Sequence, residues 1–163
     1  MAKNKEEKTN VMRVLEQKKI AYTAHTYPHE EGVAVDGVTV AKSMGFDPAI
    51  VFKTLVARGA SKQYYVFDVP VAENLDLKKA AKAVGEKSIE MLHQKELLPL
   101  TGYVHGGCSP VGMKKLFPTV IDASAENLEK MIVSAGKIGY QVELSPRDLA
   151  ALVRAKFADI IVE

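Results

Sequence analysis

The sequence has little cysteine and no long apolar run. Cys108 is the only cysteine in 163 residues, so the chain can form no internal disulfide and no zinc site built from several cysteines. No apolar run approaches the roughly 18 residues that cross a bilayer. The amino terminus is too polar for a secretory signal, which needs an apolar stretch after its basic start. These absences predict a cytoplasmic protein without membrane association.

A strong excess of charge of one sign is also absent. The chain carries 22 basic and 20 acidic side chains, a formal net charge of +2. This balance argues against a protein that binds nucleic acid mainly by charge and without regard to sequence, and no DNA partner is expected. Local basic patches can be either nucleic-acid contacts or ordinary solvated surface; they comprise Lys78, Lys79, Lys82, Lys87, Lys114 and Lys115.

The motifs of metal and nucleotide sites are incomplete. His29-Glu30 resembles the start of a zincin motif, but Val33 stands where a second histidine is required. Gly107 and Gly112 have the spacing of a phosphate loop, but Met113 replaces the essential lysine. There is no G-x-G-x-x-G opening a helix and no G-x-S-x-G nucleophile elbow. We therefore expect no metal and no nucleotide cofactor.

Helical and strand patterns are interspersed along one expected domain, residues 1–163. The hydrophobic fraction of 47% suffices for its core. The elements do not alternate as regular βαβ units, so the sequence predicts a mixed α/β fold whose partly antiparallel sheet is curled or barrel-like, with helices outside. The predicted helices are 10–18, 38–44, 77–84, 126–130 and one capped by Ser145; the predicted strands are 21–27, 50–56, 63–71, 119–121, 131–134, 139–144 and 160–162, with a loop at 28–37.

Lys53 is the most unusual residue of the predicted strands. Alternation places it on the same face as the apolar Val51 and Leu55. Such a lysine either extends its ammonium to solvent at a sheet edge or directs it at an anion, such as a phosphate or a developing oxyanion. Position alone leaves both interpretations open.

Two small-residue loops are further candidates for a site. Paired glycines in 106–110 let backbone N–H groups approach a ligand closely, as in an oxyanion hole, although the segment can equally be a plain turn. Cys108 in this loop has His105 nearby in sequence, but a nucleophile needs a base within hydrogen-bond reach. The interpretation of Cys108 as a small filler is favoured. The turn at 134–137 is ambiguous by itself.

Taken together, these segments resemble the YbaK family of aminoacyl-tRNA deacylases. Each motif is weak singly, but they occur in matching order over nearly the whole chain. One departure is Ala135, where some relatives have glycine. The segments that carry the resemblance are 25–27, 52–55, 74–81, 101–103, 106–110, 133–137 and 143–149.

The resemblance implies a fold, an activity and a set of site residues. The family is related to the editing domain inserted in bacterial prolyl-tRNA synthetases, and its fold is a mixed α/β structure around a curled sheet. Its YbaK branch removes cysteine from tRNA for proline. The catalytic positions implied are Lys53, Gly106 and Gly107, and the substrate-binding positions are Tyr27, Thr54, Cys108, Ser109, Pro110, Ser134 and Gly136.

The resemblance also sets the expected chemistry and partners. We expect cleavage of Cys-tRNA(Pro), with Cys-tRNA(Cys) left open as a second substrate, by attack of the substrate's own thiol on its ester. Two alternatives stay open: a sibling enzyme that hydrolyses alanyl or other small aminoacyl esters with an activated water, and a non-catalytic module that binds the tRNA acceptor end. Beyond the 3′ end of aminoacyl-tRNA, the expected partner is prolyl-tRNA synthetase.

Overall fold

Two β-sheets organise the part of the chain that the computed structural model describes, residues 8–30 and 33–163. The smaller sheet has the order β1-β7-β6 and the larger has the order β4-β2-β3-β5-β8. The strands are β1 (Tyr22–Thr26), β2 (Phe52–Gly59), β3 (Tyr64–Pro70), β4 (Ile89–Met91), β5 (Thr119–Asp122), β6 (Met131–Ser134), β7 (Tyr140–Leu144) and β8 (Lys156–Ala158).

Helices cover these sheets and connect their strands. They are α1 (Asn10–Gln17), α2 (Gly37–Ser43), α3 (Leu77–Val84), α4 (Gln94–Thr101) and α5 (Pro146–Val153), with 3-10 turns at Pro48–Ile50 and Ala123–Asn127. No helix in the described ranges is long and apolar enough to cross a membrane.

The sheets are mixed in direction, as the sequence predicts. β2 pairs antiparallel with β3 and β4, whereas β5 runs parallel to both β3 and β8. In the smaller sheet, β7 pairs antiparallel with both β1 and β6. The register of β2 and β3 sets Thr54 opposite Asp68, which has consequences for the site described below.

The prediction of one curled, barrel-like sheet is wrong. Within residues 8–30 and 33–163 neither sheet closes, and a single parallel bridge between Val51 and Ile132 links them. The two sheets instead contribute side chains to one hydrophobic core, because each must cover its apolar face. That core includes Phe52, Val56 and Val66 from the larger sheet and Met131, Val133, Val142 and Leu144 from the smaller one.

Helix ends follow their capping residues in most cases. Thr9 accepts a hydrogen bond from the Met12 N–H and begins α1. Asp76 accepts bonds from the first N–H groups of α3, and Gly85 ends this helix in the left-handed conformation. Ser145 is the N-cap residue of α5, as predicted, but its side chain makes no capping bond. Pro146 at the first helical position removes one of the N–H groups that a cap would satisfy.

Several short elements differ from the prediction. The last strand is β8, whereas the predicted strand at 160–162 makes only one bridge, from Ile161 to Leu75. The helix predicted at 126–130 is a 3-10 turn at Ala123–Asn127, and α4 and β4 were not predicted. Of the predicted loop at 28–37, residues 31–32 lie outside the described residues, as does the polar start at 1–7.

Candidate active site

A cavity of about 530 Å³ lies beside the start of β2, within the size range of small-ligand sites. Its wall combines β2, the segment before α2, the glycine-rich loop (residues 106–110) and the facing ends of β6 and β7. Six of the ten site residues predicted from sequence line it: Tyr27, Lys53, Thr54, Gly106, Cys108 and Ser134. The other four, Gly107, Ser109, Pro110 and Gly136, are not among the lining residues.

Lys53 places a half-buried ammonium group in the cavity wall. Burial lowers its pKa below the ordinary lysine value, because a low-dielectric setting disfavours the charged form. Attraction by Asp36 and Glu73 opposes this effect. Within residues 8–30 and 33–163, the ammonium group makes no hydrogen bond or ion pair. Lys53 is thus a cation whose donors are available to an anionic ligand.

Thr54 is connected to a buried carboxyl group behind the cavity. Its Oγ1 lies 2.5 Å from Oδ1 of Asp68, which has no solvent exposure. The other carboxyl oxygen, Oδ2, has no partner in the described part of the chain. Burial raises the pKa of Asp68 from its ordinary 3.8 to about 7, and the bond from Thr54 opposes the rise.

The glycine-rich loop packs tightly against its neighbours. Gly106 has φ +89°, and a Cβ there would lie 2.6 Å from Cβ of Ala34, so a side chain would clash. A Cβ on Gly107 would lie 3.0 Å from the backbone nitrogen of Ile138, so this loop contacts the turn after β6. The Gly107 N–H donates to the Val104 carbonyl at 3.0 Å. This bond leaves Gly106 and Cys108 as the loop's better candidates for N–H donors to a ligand.

Cys108 lines the cavity but is a poor nucleophile. Its side chain is buried, and burial raises the pKa of its thiol to about 12, with nearby Asp68 adding to the rise. The reactive form of cysteine is the thiolate, which this environment disfavours. His105 lines the same cavity, yet no hydrogen bond joins the two side chains within the described ranges.

Ser109 and Pro110 shape the loop from inside the protein. Both are buried, and the Ser109 hydroxyl accepts a hydrogen bond from the Val111 N–H at 3.2 Å. The facing turn is stabilised similarly, since Ser134 accepts a bond from the Gly136 N–H at 3.1 Å. Gly136 itself packs against the ring of Tyr103, so it supports the turn rather than lining the cavity.

Two polar residues of the site were not singled out from the sequence. Gln141 lines the cavity from β7, is 93% shielded from solvent (relative exposure 7%), and leaves its Oε1 without a partner in the described ranges. Asp68 lies one strand behind the cavity. For Asp68 the available signal was a charged side chain within an otherwise apolar strand, where burial requires a hydrogen-bonding partner. Gln141 alternates with Val142 and Glu143 in β7, so its strand gave no comparable signal.

The donor set around the cavity does not suggest a metal. In the part of the chain that the structure describes, no three His, Cys, Asp or Glu side chains come together as a metal-binding group. The cavity wall offers the Lys53 cation, the Asp36 carboxylate, the His105 imidazole, backbone N–H groups, hydroxyls and the amide oxygen of Gln141.

Comparison with known proteins decides the family. The profile of the aminoacyl-tRNA editing domain matches residues 32–152, which carry β2, both loops and every cavity-lining residue except Tyr27. The chain belongs to this family. A protein of Enterococcus faecalis (strain ATCC 700802 / V583), provisionally named Cys-tRNA(Pro)/Cys-tRNA(Cys) deacylase EbsC, is 45% identical over 161 residues, 98% of each chain.

Solved structures share the fold of this editing-family chain. A crystal structure described as a provisional trans-editing enzyme for prolyl-tRNA synthetase has a TM-score of 0.79 and 25% identity, covering 94% of this chain and 95% of that one. A hypothetical protein has a TM-score of 0.82 at 21% identity, covering 93% and 99%. The mixed α/β fold and the resemblance predicted from sequence are confirmed.

Proposed function

We propose that the chain is a trans-editing deacylase that removes cysteine from Cys-tRNA(Pro). The proposal extends to this protein the activity in the name of its 45% identical Enterococcus relative. It treats residues 1–163 as one catalytic unit in the cytoplasm that acts alongside prolyl-tRNA synthetase. Cys-tRNA(Cys), which the relative's name also includes, is the second substrate to test.

One observation supports this function best: the half-buried Lys53 ammonium shares a cavity with Gly106 and Cys108 of the glycine-rich loop. A fixed cation in a partly desolvated site stabilises negative charge more strongly than it would in water. We assign Lys53 to the terminal phosphate or ribose of the tRNA, which orients the ester. The N–H groups of Gly106 and Cys108 then face the carbonyl oxygen.

The attacking group in this proposal comes from the substrate. The thiol of the cysteinyl ester, with an unperturbed pKa of about 8.5, is partly ionised near neutrality. Its sulfur attacks the ester carbonyl carbon, and the loop N–H groups stabilise the resulting oxyanion. The carbon–oxygen bond then breaks, the ribose oxygen takes a proton from water, and cysteine leaves as a thiolactone. Strain in this four-membered ring offsets part of the advantage of intramolecular attack.

A thiol requirement would leave correctly charged Pro-tRNA(Pro) intact. A pocket that excluded proline by size alone would gain only roughly 1–3 kcal/mol of discrimination. Proline has no thiol, so the proposed route cannot begin on its ester. The same requirement does not separate mischarged from correctly charged cysteinyl-tRNA. We therefore propose that binding to prolyl-tRNA synthetase directs the enzyme to tRNA(Pro).

Ser-tRNA(Pro) tests the source of the nucleophile. Serine is nearly isosteric with cysteine, but its hydroxyl is far less ionised, so we expect cleavage at least about 100-fold slower than for Cys-tRNA(Pro). Single-turnover release of labelled amino acid measures both rates, and Ala-tRNA(Pro) serves as a matched substrate without a nucleophile. Comparable rates on all three esters would instead indicate an activated water, and binding without cleavage of any ester would indicate a non-catalytic module.

Replacing Cys108 by serine tests the remaining protein nucleophile. We expect kcat/KM for Cys-tRNA(Pro) to stay within about threefold of wild type, because the buried thiol with its raised pKa takes no part in the chemistry. Circular dichroism would verify that the variant is folded. A loss of 1,000-fold or more in a folded variant would restore Cys108 as a catalytic residue.

A further inference from the structure

The buried carboxyl group of Asp68 lies within hydrogen-bond distance of a cavity-lining hydroxyl. Oδ1 of Asp68 is 2.5 Å from Oγ1 of Thr54, and Thr54 lines the cavity. Asp68 is fully shielded from solvent, and its Oδ2 has no partner within the described ranges. Thr54 and Asp68 also face each other in the register of β2 and β3, so the backbone holds this contact in place.

The direction of this hydrogen bond depends on whether Asp68 carries a proton. An ionised carboxylate can only accept, so the Thr54 hydroxyl must donate its single hydrogen to Asp68. Only the lone pairs of Thr54 then remain for the cavity. A neutral carboxyl can donate to Thr54, and the Thr54 hydrogen becomes available to a ligand. The two states give the cavity an acceptor or a donor at the same position.

We propose that Asp68 is a positioning residue that sets whether the Thr54 hydroxyl donates or accepts a hydrogen bond in the cavity. This inference rests on the proposed function, in which negative charge develops on the carbonyl oxygen of the ester. The neutral form of Asp68 is the competent one, because it lets Thr54 donate to that oxygen. The ionised form withdraws the donor and adds a repulsive negative charge nearby.

The surroundings of Asp68 raise its pKa into the neutral range, so the carboxyl changes between its neutral and ionised forms near pH 7. From β2 its neighbour is Thr54, and from β5 its register partner is the apolar Ile121. From the glycine-rich loop the neighbouring titratable group is Cys108, whose thiol is neutral at physiological pH because burial raises its pKa to about 12. No cation offsets the burial of Asp68 in the described part of the chain, and the pKa of Asp68 rises to about 7.

The test compares wild type with Asp68→Asn across pH. Asparagine is nearly isosteric and stays neutral, and its amide can donate to Thr54 as a protonated carboxyl does. The ionisation of the substrate thiol affects both proteins equally and cancels in the ratio of their kcat/KM values. We expect this ratio, variant over wild type, to rise about 10-fold from pH 6 to pH 8, as ionisation removes the competent form of the wild type only.

The Thr54→Val background shows whether Asp68 acts through the hydroxyl. In this background Asp68→Asn should leave the pH profile of kcat/KM unaltered, apart from a modest charge effect. If the ratio of kcat/KM values, Asp68→Asn over wild type, did not change with pH when Thr54 is present, the inference would be overturned. A merely structural role of Asp68 would change the rate without changing its pH dependence. A 10-fold rise that persists in the Thr54→Val background would overturn it as well.

A titration of the Asp68 carboxyl by carbon-13 NMR does not depend on turnover. We expect titration near neutral pH, with the pKa raised further in Thr54→Val because the bond from Thr54 lowers it. If the wild type cleaved no aminoacyl-tRNA, the proposed function would fail while this coupling between Asp68 and Thr54 still supported the inference. Titration of Asp68 near pH 4, or an unchanged pKa of Asp68 in Thr54→Val, would overturn the inference whatever the enzymatic activity.

Discussion

Replacing Lys53 by methionine is expected to reduce kcat/KM for Cys-tRNA(Pro) by roughly 100- to 1,000-fold, the usual effect of removing one electrostatic group from a reaction site. Methionine keeps most of the apolar stem of lysine and removes only the charge. Because Lys53 is half-buried and its donors have no partner in the described ranges, its loss leaves no stranded ion-pair partner. The fold should therefore be retained.

Two controls distinguish a loss of catalysis from a loss of folding or of surface charge. Lys130→Met removes an exposed lysine just before β6 and should change the rate by less than about twofold. Thermal unfolding of Lys53→Met should occur at the wild-type temperature or slightly higher, since the desolvation that lowers the pKa of Lys53 no longer opposes folding. A folded Lys53→Met protein that releases cysteine at the wild-type rate would refute the assignment of Lys53.

Asp68→Asn is expected to stabilise the protein at high pH and much less at low pH. The native pKa of Asp68, about 7, lies above its ordinary value of 3.8. The native state therefore holds this proton more tightly than the unfolded state, and stability falls as pH rises from about 4 to about 7. At 1.36 kcal/mol per pKa unit, the full effect is of the order of 4 kcal/mol above pH 7. Asparagine has no charge to bury and escapes this loss.

Urea denaturation at pH 4.5, 6, 7 and 8 measures the effect directly. The free energy of unfolding of Asp68→Asn minus that of wild type should increase steadily over this range and level off above pH 7. Asp148→Asn, at an exposed position in α5, serves as the matched control and should show no such increase. A pH-independent difference would mean that Asp68 titrates normally in the native state.

Local sequence patterns predicted the elements whose ends are set by the chain itself. Helix α3 was predicted with its observed bounds, because Asp76 and Gly85 supply the cap and the stop within the segment. The bounds of β6 were also predicted as observed. The elements that were missed, β4 and α4, have weaker signals. β4 has three residues and pairs with residues of β2 that lie 30 to 34 positions earlier in the chain. Helix α4 contains Pro99, which argues against a helix.

The sequence alone determined the family of this protein, its mixed α/β class and most of its element order, because capping residues, strand patterns and the order of several weak motifs are all local properties of the chain. The tertiary structure decided that two sheets share one core instead of a single curled sheet, and which residues of the motifs face the cavity. Lys53 reaches the cavity with Gly106, whereas Gly107 and Gly136 are not among its lining residues. The pairing of Thr54 with Asp68 depends on the register between two strands, and a register is set by packing across the whole sheet.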